Sequence, residues 1–146
     1  MEAERQQENW NELTKDITLG LVEERFLESI DPAPSFCEYL DQLCEQTGKK
    51  RWQVIASSGI DRTYGYQLFN GTRKPSRDKA IQLAIGFELN VDQTQQLLRA
   101  AEKNTLEPRK KRDAAVLFCL AREMDVEDTQ KLLERHELEP LGQFER

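Results

Sequence analysis

Residues 51–75 read RWQVIASSGIDRTYGYQLFNGTRKP, and this stretch decides the fold. A short helix covers about residues 51–58. Gly59 follows as a left-handed turn residue, the conformation a helix end needs and glycine adopts at least cost. Asp61 is placed to cap a second helix over about residues 61–69. Asn70-Gly71 terminates that helix, and Pro75-Ser76 opens the next one. On the helix at 61–69, Gly65, Leu68 and Phe69 share one face and point inward. Arg62, Thr63, Tyr66 and Gln67 occupy the opposite face, with Tyr64 on the flank.

Working outward from this centre, the pattern stays helical. Upstream, Ser35-Phe-Cys-Glu38 is a capping box. The helix it opens has Phe36, Leu40, Leu43 and Cys44 on one side and ends at Gly48. Before it, Trp10, Leu13, Ile17 and Leu21, continued by Val22, Phe26, Leu27 and Ile30, follow a three-to-four spacing that reads as an amphipathic helix. Asp31-Pro-Ala-Pro34 stops it, and Gly20 divides it into two shorter helices if the middle gives way. Downstream the chain repeats itself. Arg77-Asp78-Lys79-Ala80-Ile81 recurs 35 residues later as Arg112-Asp113-Ala114-Ala115-Val116, and Thr94-Gln95-Gln96-Leu97-Leu98 recurs as Thr129-Gln130-Lys131-Leu132-Leu133. Each copy is a helical hairpin with a polar turn capped by Asn90 or Asp125, and two such hairpins can stack their apolar faces. Ala80, Ile81, Leu97, Leu98, Val116, Leu120, Leu132 and Leu133 are the expected buried positions. No alternating strand pattern occurs, so the fold class is all-α. Three parts are expected: an acidic segment at 1–34, a domain at 35–105 and a C-terminal hairpin at 106–146 on the same core.

The 146 residues suffice for a hydrophobic core without staples. No apolar run spans a membrane and the polar, acidic start is no secretory signal, so a cytoplasmic location is expected. Cys37, Cys44 and Cys119 read as buried or half-buried thiols, and with the lone His136 they show no metal-ligand spacing. There is no phosphate-binding glycine loop, no nucleophile elbow and no Cys/His pair, so neither an enzyme nor a cofactor is expected. The net charge is −6, but it is unevenly spread. Residues 1–47 carry three bases against twelve acids. Residues 48–80 carry eight bases against two acids, and residues 81–146 ten against thirteen. One short basic segment inside an acidic chain is what a local phosphate-binding surface leaves in a sequence.

Val54, Gly59, the apolar Ile60, Gln67-Leu68 and the Asn70-Gly71 end together resemble the helix-turn-helix of the lambda-repressor/Cro (XRE) family, whose first, fourth and fifth helices would correspond to those opened by Ser35, Ser76 and Asn90. The resemblance covers about residues 35–102. Residues 35–140 as a whole look like bacterial regulators with this motif and a trailing helical hairpin. The resemblance implies a sequence-specific, double-stranded-DNA-binding transcriptional regulator that pairs as a homodimer on two half-sites. The helix at 61–69 would enter the major groove, about 12 Å wide. Arg62 would then meet guanine, Gln67 adenine and Thr63 a thymine methyl, with Tyr66 adding an apolar or hydroxyl contact and Tyr64 lying nearer the backbone. Arg51 and Gln53, at the start of the preceding helix, and Arg73, Lys74 and Arg77, after the reading helix, would hold phosphates.

Two residues depart from the family pattern. Ile55 stands where a small residue is usual, and Gly65 where valine or isoleucine is usual. The two face each other where the helices cross, so a large-for-small exchange on both sides conserves volume. The alternative reading is an interaction adaptor or antitoxin-like subunit, in which the acidic N-terminal helix or the C-terminal hairpin binds a partner protein and the helix-turn-helix is only a scaffold.

Overall fold

The computed structural model describes residues 2–142, with side chains from Trp10 onward. Among the described residues the chain is all-helical, with no strand. Its α-helices are α1 (Glu2–Thr18), α2 (Phe36–Thr47), α3 (Arg51–Ser58), α4 (Arg62–Asn70), α5 (Arg77–Gly86), α6 (Val91–Ala100), α7 (Lys111–Ala121) and α8 (Val126–Arg135). A 3-10 turn, Glu24–Ser29, lies between α1 and α2. None of these helices is long and apolar enough to cross a membrane.

The capping residues fall where the sequence places them. Ser35 and Glu38 cap α2 reciprocally, and Asp61, Ser76, Asn90 and Asp125 each accept from the third backbone N–H of their helix. The N-terminal segment takes the divided form: α1 stops at Thr18, Gly20 is left-handed (φ 69°), and only the 3-10 turn precedes Pro32. α1 packs on α6, where Arg99 stacks on Trp10 with 4.7 Å to the ring centroid. No described side chain between Trp10 and Pro34 is buried.

Two apolar clusters share one helix. The first joins α2, α3, α4, α5 and α6 through Leu40, Leu43, Val54, Leu68, Phe69, Leu83 and Phe87. The second joins α5 to α8 through Ala80, Ile81, Ile85, Leu98, Val116, Leu120 and Leu133. α5, apolar almost all round, is therefore buried on both sides, from Ala80 to Gly86. Gln82 is its polar exception: its amide donates to the Ser58 carbonyl at 3.2 Å. All eight expected core positions of the repeat are buried.

The repeat extends further than its sequence match. α5, α6, α7 and α8 end alike, each with a left-handed glutamate: Glu88 and Glu123, Glu102 and Glu137, at φ between 55° and 61°. The residue after each sends its N–H back across the turn, as Leu89 to Ala84 and Met124 to Cys119, the bond that closes a Schellman end. Gln95 brackets Leu106 with two hydrogen bonds, and Gln130 brackets Leu141 in the same way. The unit so repeated begins at Arg77, so α5 and α6 belong at once to the core built with α2–α4 and to the hairpin pair. Residues 143–146 of the expected C-terminal tail lie outside the described residues.

Candidate nucleic-acid interface

The short connection from α3 to α4 is Gly59, at φ 68°, then Ile60 and Asp61. Ile60 is buried and pins the connection to the core; Asp61 Oδ2 accepts from the Tyr64 N–H at 3.1 Å and fixes where α4 begins. Gly65, Leu68 and Phe69 face inward and are buried. The crossing of α3 and α4 is close because Gly65 has no side chain: a Cβ there would lie 2.6 Å from Ile55 Cγ2. α4 is thus held by its apolar face, and its other face is open. Arg62 and Thr63 are exposed, Tyr66 and Gln67 half-buried.

Basic and aromatic groups alternate along this face. The Arg62 guanidinium lies 5.9 Å from the Tyr66 ring centroid. Tyr64 is bracketed by Arg73 at 4.5 Å and Lys79 at 5.7 Å. Such stacking holds the cationic heads in place while leaving their charge to solvent or an anion. Arg73 and Lys74 are exposed immediately after α4, where left-handed Gly71 (φ 80°) ends the helix. The Arg62–Tyr66 pair and the Tyr64–Arg73–Lys79 group thus flank α4 on its two sides.

The residues at the start of α3 are engaged within the chain. Arg51 donates to Asp41 Oδ1 at 2.8 Å, a half-exposed pair, and its guanidinium lies 5.5 Å from the Phe69 centroid. Gln53 Oε1 accepts from the Lys50 N–H at 2.9 Å, which leaves its amide N–H groups as donors. Both side chains remain exposed.

Arg77 takes a different place from the phosphate contact expected of it. Its guanidinium grips Asp113 with two bonds of 2.9 Å and reaches the carbonyls of Asn104 and Thr105 with two further donors. Arg112 does the same, with two bonds of 2.9 Å to Asp78 and further bonds to the carbonyls of Glu139 and Pro140. Each hairpin's arginine thus grips the other hairpin's aspartate, the reciprocity of a two-fold relation inside one chain. Burial pushes the Asp78 and Asp113 carboxyls up, but the arginine hydrogen bonds, a backbone N–H on each and the nearby positive charge outweigh it. Both carboxyls are held below the usual carboxylate range. Arg77 is a clamp between repeats.

Trp52 escaped the sequence reading. It is 57% exposed and lines a cleft with Ile55, Ala56, Ile60, Arg62 and Tyr66, beside the start of α4. Its signal was a tryptophan at the second position of α3, one turn from the inward residues. Among the described residues no three His, Cys, Asp or Glu side chains gather as metal ligands.

Compared with known proteins, the chain matches no family model, no curated protein and no solved structure.

Proposed function

We propose that the chain is a sequence-specific DNA-binding protein of lambda-repressor-like architecture, which reads the major groove with α4 and regulates transcription. The observation that carries this reading is the open face of α4. A helix short enough to enter the groove is gripped from behind by Gly65, Leu68 and Phe69, and presents Arg62, Thr63, Tyr66 and Gln67 outward. Of the basic segment of the sequence, Arg62 lies on that face and the exposed Arg73 and Lys74 follow it, although the chain as a whole is acidic. Arg62 and Gln67 are the base readers, as bidentate donors and acceptors for guanine and adenine. Arg73 and Lys74 hold phosphates beyond the helix end, with Arg51 and Gln53 on the other flank. Arg77 is left out, because Asp113 and two carbonyls engage four of its five N–H donors.

The test is selection of bound sequences from a random DNA pool at moderate salt, followed by titration of the selected and a scrambled site across a salt series. Wild type is expected to prefer the selected site. Arg62→Ala is expected to lose about 1–3 kcal/mol there and little on the scrambled site. Lys74→Ala is expected to weaken both alike and to lower the salt slope by about one ion. A wild type without sequence preference, unchanged by Arg62→Ala, would refute the reading and leave α3–α4 as a scaffold for a protein-binding adaptor.

A further inference from the structure

The duplication marks an empty seat. α3 rests on the α5 face made by Lys79, Gln82, Leu83 and Gly86, and Tyr64 of α4 touches its edge. Gly86 lies against Val54 and Ser58, Gln82 bonds Ser58, Lys79 stacks on Tyr64, and Leu83 shares a cluster with Val54. Thirty-five residues on, the same face of α7 carries Ala114, Leu117, Phe118 and Ala121. The spacing i, i+3, i+4, i+7 is a complete apolar stripe about 10 Å long. Ala114 and Leu117 are half-buried, Phe118 is 43% exposed and Ala121 is exposed. Leu83, the counterpart of Phe118, is fully buried. The first hairpin's face is covered by α3, whereas on the second hairpin's face Phe118 and Ala121 stay exposed, beside Leu117, which packs in part on the second cluster.

The surroundings of this stripe are basic. Arg109, Lys110 and Lys111 are exposed at its head, and the Arg122 guanidinium lies 3.8 Å from the Phe118 centroid at its tail. The opposite combination lies elsewhere on the same chain. The segment from Ile17 to Ile30 exposes Ile17, Leu19, Leu21, Leu27 and Ile30 beside Glu23, Glu24 and Glu28. In the same chain α1 packs on α6, and the apolar side chains of this segment stay open to solvent. An exposed apolar row of this length is the mark of an interaction surface.

We propose that the acidic, apolar N-terminal segment of a second copy seats on the α7 stripe, with its carboxylates against the lysines at the head and Arg122 at the tail. Each copy carries both halves of the contact. Two copies therefore exchange segments and close a two-fold dimer with two identical seats. The charges set the direction of docking, because two α7 stripes laid together antiparallel would bring Lys111 of one against Arg122 of the other.

The experiment is the mass of the full chain in solution without DNA, by light scattering and sedimentation over a concentration series. This keeps its outcome independent of the DNA-binding reading. Wild type is expected to be a dimer that loosens with added salt. Phe118→Asp and the double variant Leu21→Asp, Leu27→Asp are each expected to be monomers with unchanged helix content, since all three side chains face solvent. An equimolar mixture of the two variants is expected to regain a dimer through its one intact seat, weaker than wild type on the order of tenfold or more. A wild type monomeric at every concentration overturns the proposal, as does a dimer indifferent to Phe118→Asp. A dimer lost in Phe118→Asp but kept in Leu21→Asp, Leu27→Asp overturns it too, because α7 then pairs with itself.

Discussion

Two glycines, both inside helices, show why the neighbour decides what a residue is worth. Gly65 and Gly86 each cost about 1 kcal/mol of helix propensity against alanine. At Gly65 the atoms that crowd a built Cβ all belong to the Ile55 side chain. At Gly86 the crowding comes from Ser58 Oγ, the Val54 carbonyl oxygen at 2.8 Å and the Ser58 nitrogen at 3.0 Å. A side chain can be exchanged and a backbone cannot. Gly65→Val is therefore expected to destabilise by about 1–3 kcal/mol through overpacking, and Gly65→Val with Ile55→Ala to recover part of that loss. Denaturant titration of the full double-mutant cycle measures the coupling; strict additivity would refute the compensation. Gly86→Ala is expected to destabilise by a similar 1–3 kcal/mol in spite of its better propensity, with no side-chain exchange on α3 restoring it. A neutral or stabilising Gly86→Ala would show that α3 and α5 can separate freely.

At the scale of elements, the hairpin pair is held by reciprocity. Arg77–Asp113 and Arg112–Asp78 are half-buried bidentate pairs, and each aspartate also accepts a backbone N–H from the other hairpin, Gly142 or Glu107. Removing one partner leaves a charge without its mate in a site poorly reached by water, so Asp113→Asn is expected to cost about 2 kcal/mol or more. Arg77→Lys keeps the charge but loses the fork that matches a carboxylate, and should recover only part of an Arg77→Ala loss. Acid tests the same feature. Both aspartates titrate below their unfolded range near pH 4, so the native state binds fewer protons than the unfolded one as pH falls through that range. Their contribution is whole at neutral pH and is lost as pH drops below about 4. Melting temperatures taken from neutral to acid pH should fall steeply for wild type and less steeply for Asp78→Asn with Asp113→Asn, which starts lower. Parallel curves would mean that the pairs carry no linkage.

For the molecule as a whole, the shared burial of α5 matters most. One face of this helix closes the cluster of α2–α4 and the other closes the hairpin pair, so neither cluster is complete without it. The chain from α2 to α8 is expected to unfold as one cooperative unit. Tryptophan fluorescence, from Trp52 beside the first cluster and Trp10 on α6, and far-UV circular dichroism should give coincident denaturant transitions in wild type. In Arg112→Ala, a change in the second cluster, both transitions should move together to lower denaturant. A Trp52 transition left in place while helix content falls would show two independent units.

How much of this was legible in the sequence depends on the range of the physics involved. Caps, left-handed glycines, the burial of Gly65, Leu68 and Phe69, and the 35-residue repeat are local or periodic, and the linear order of residues determines them. The crossing of Ile55 over Gly65 was expected from the resemblance, in whose pattern the two positions face each other with their sizes exchanged. The outward position of Arg62 and Thr63 followed from helical periodicity alone. The place of Arg77 did not. As a basic residue just after α4 it looked like one more phosphate contact, and only the approach of the second hairpin reveals Asp113 opposite it. The left-handed glutamates at the four hairpin ends were hidden for a similar reason. Glycine is the residue that conformation favours, yet at each of these ends glutamate adopts it and the next residue's N–H closes the turn. The open stripe on α7 was hidden as well, since the sequence reading placed only Val116 and Leu120 of this helix in the core and assigned the stripe's residues to no face. Whether an apolar helix face is covered depends on how many helices the chain has left to cover it, and that is settled only when the whole chain is packed.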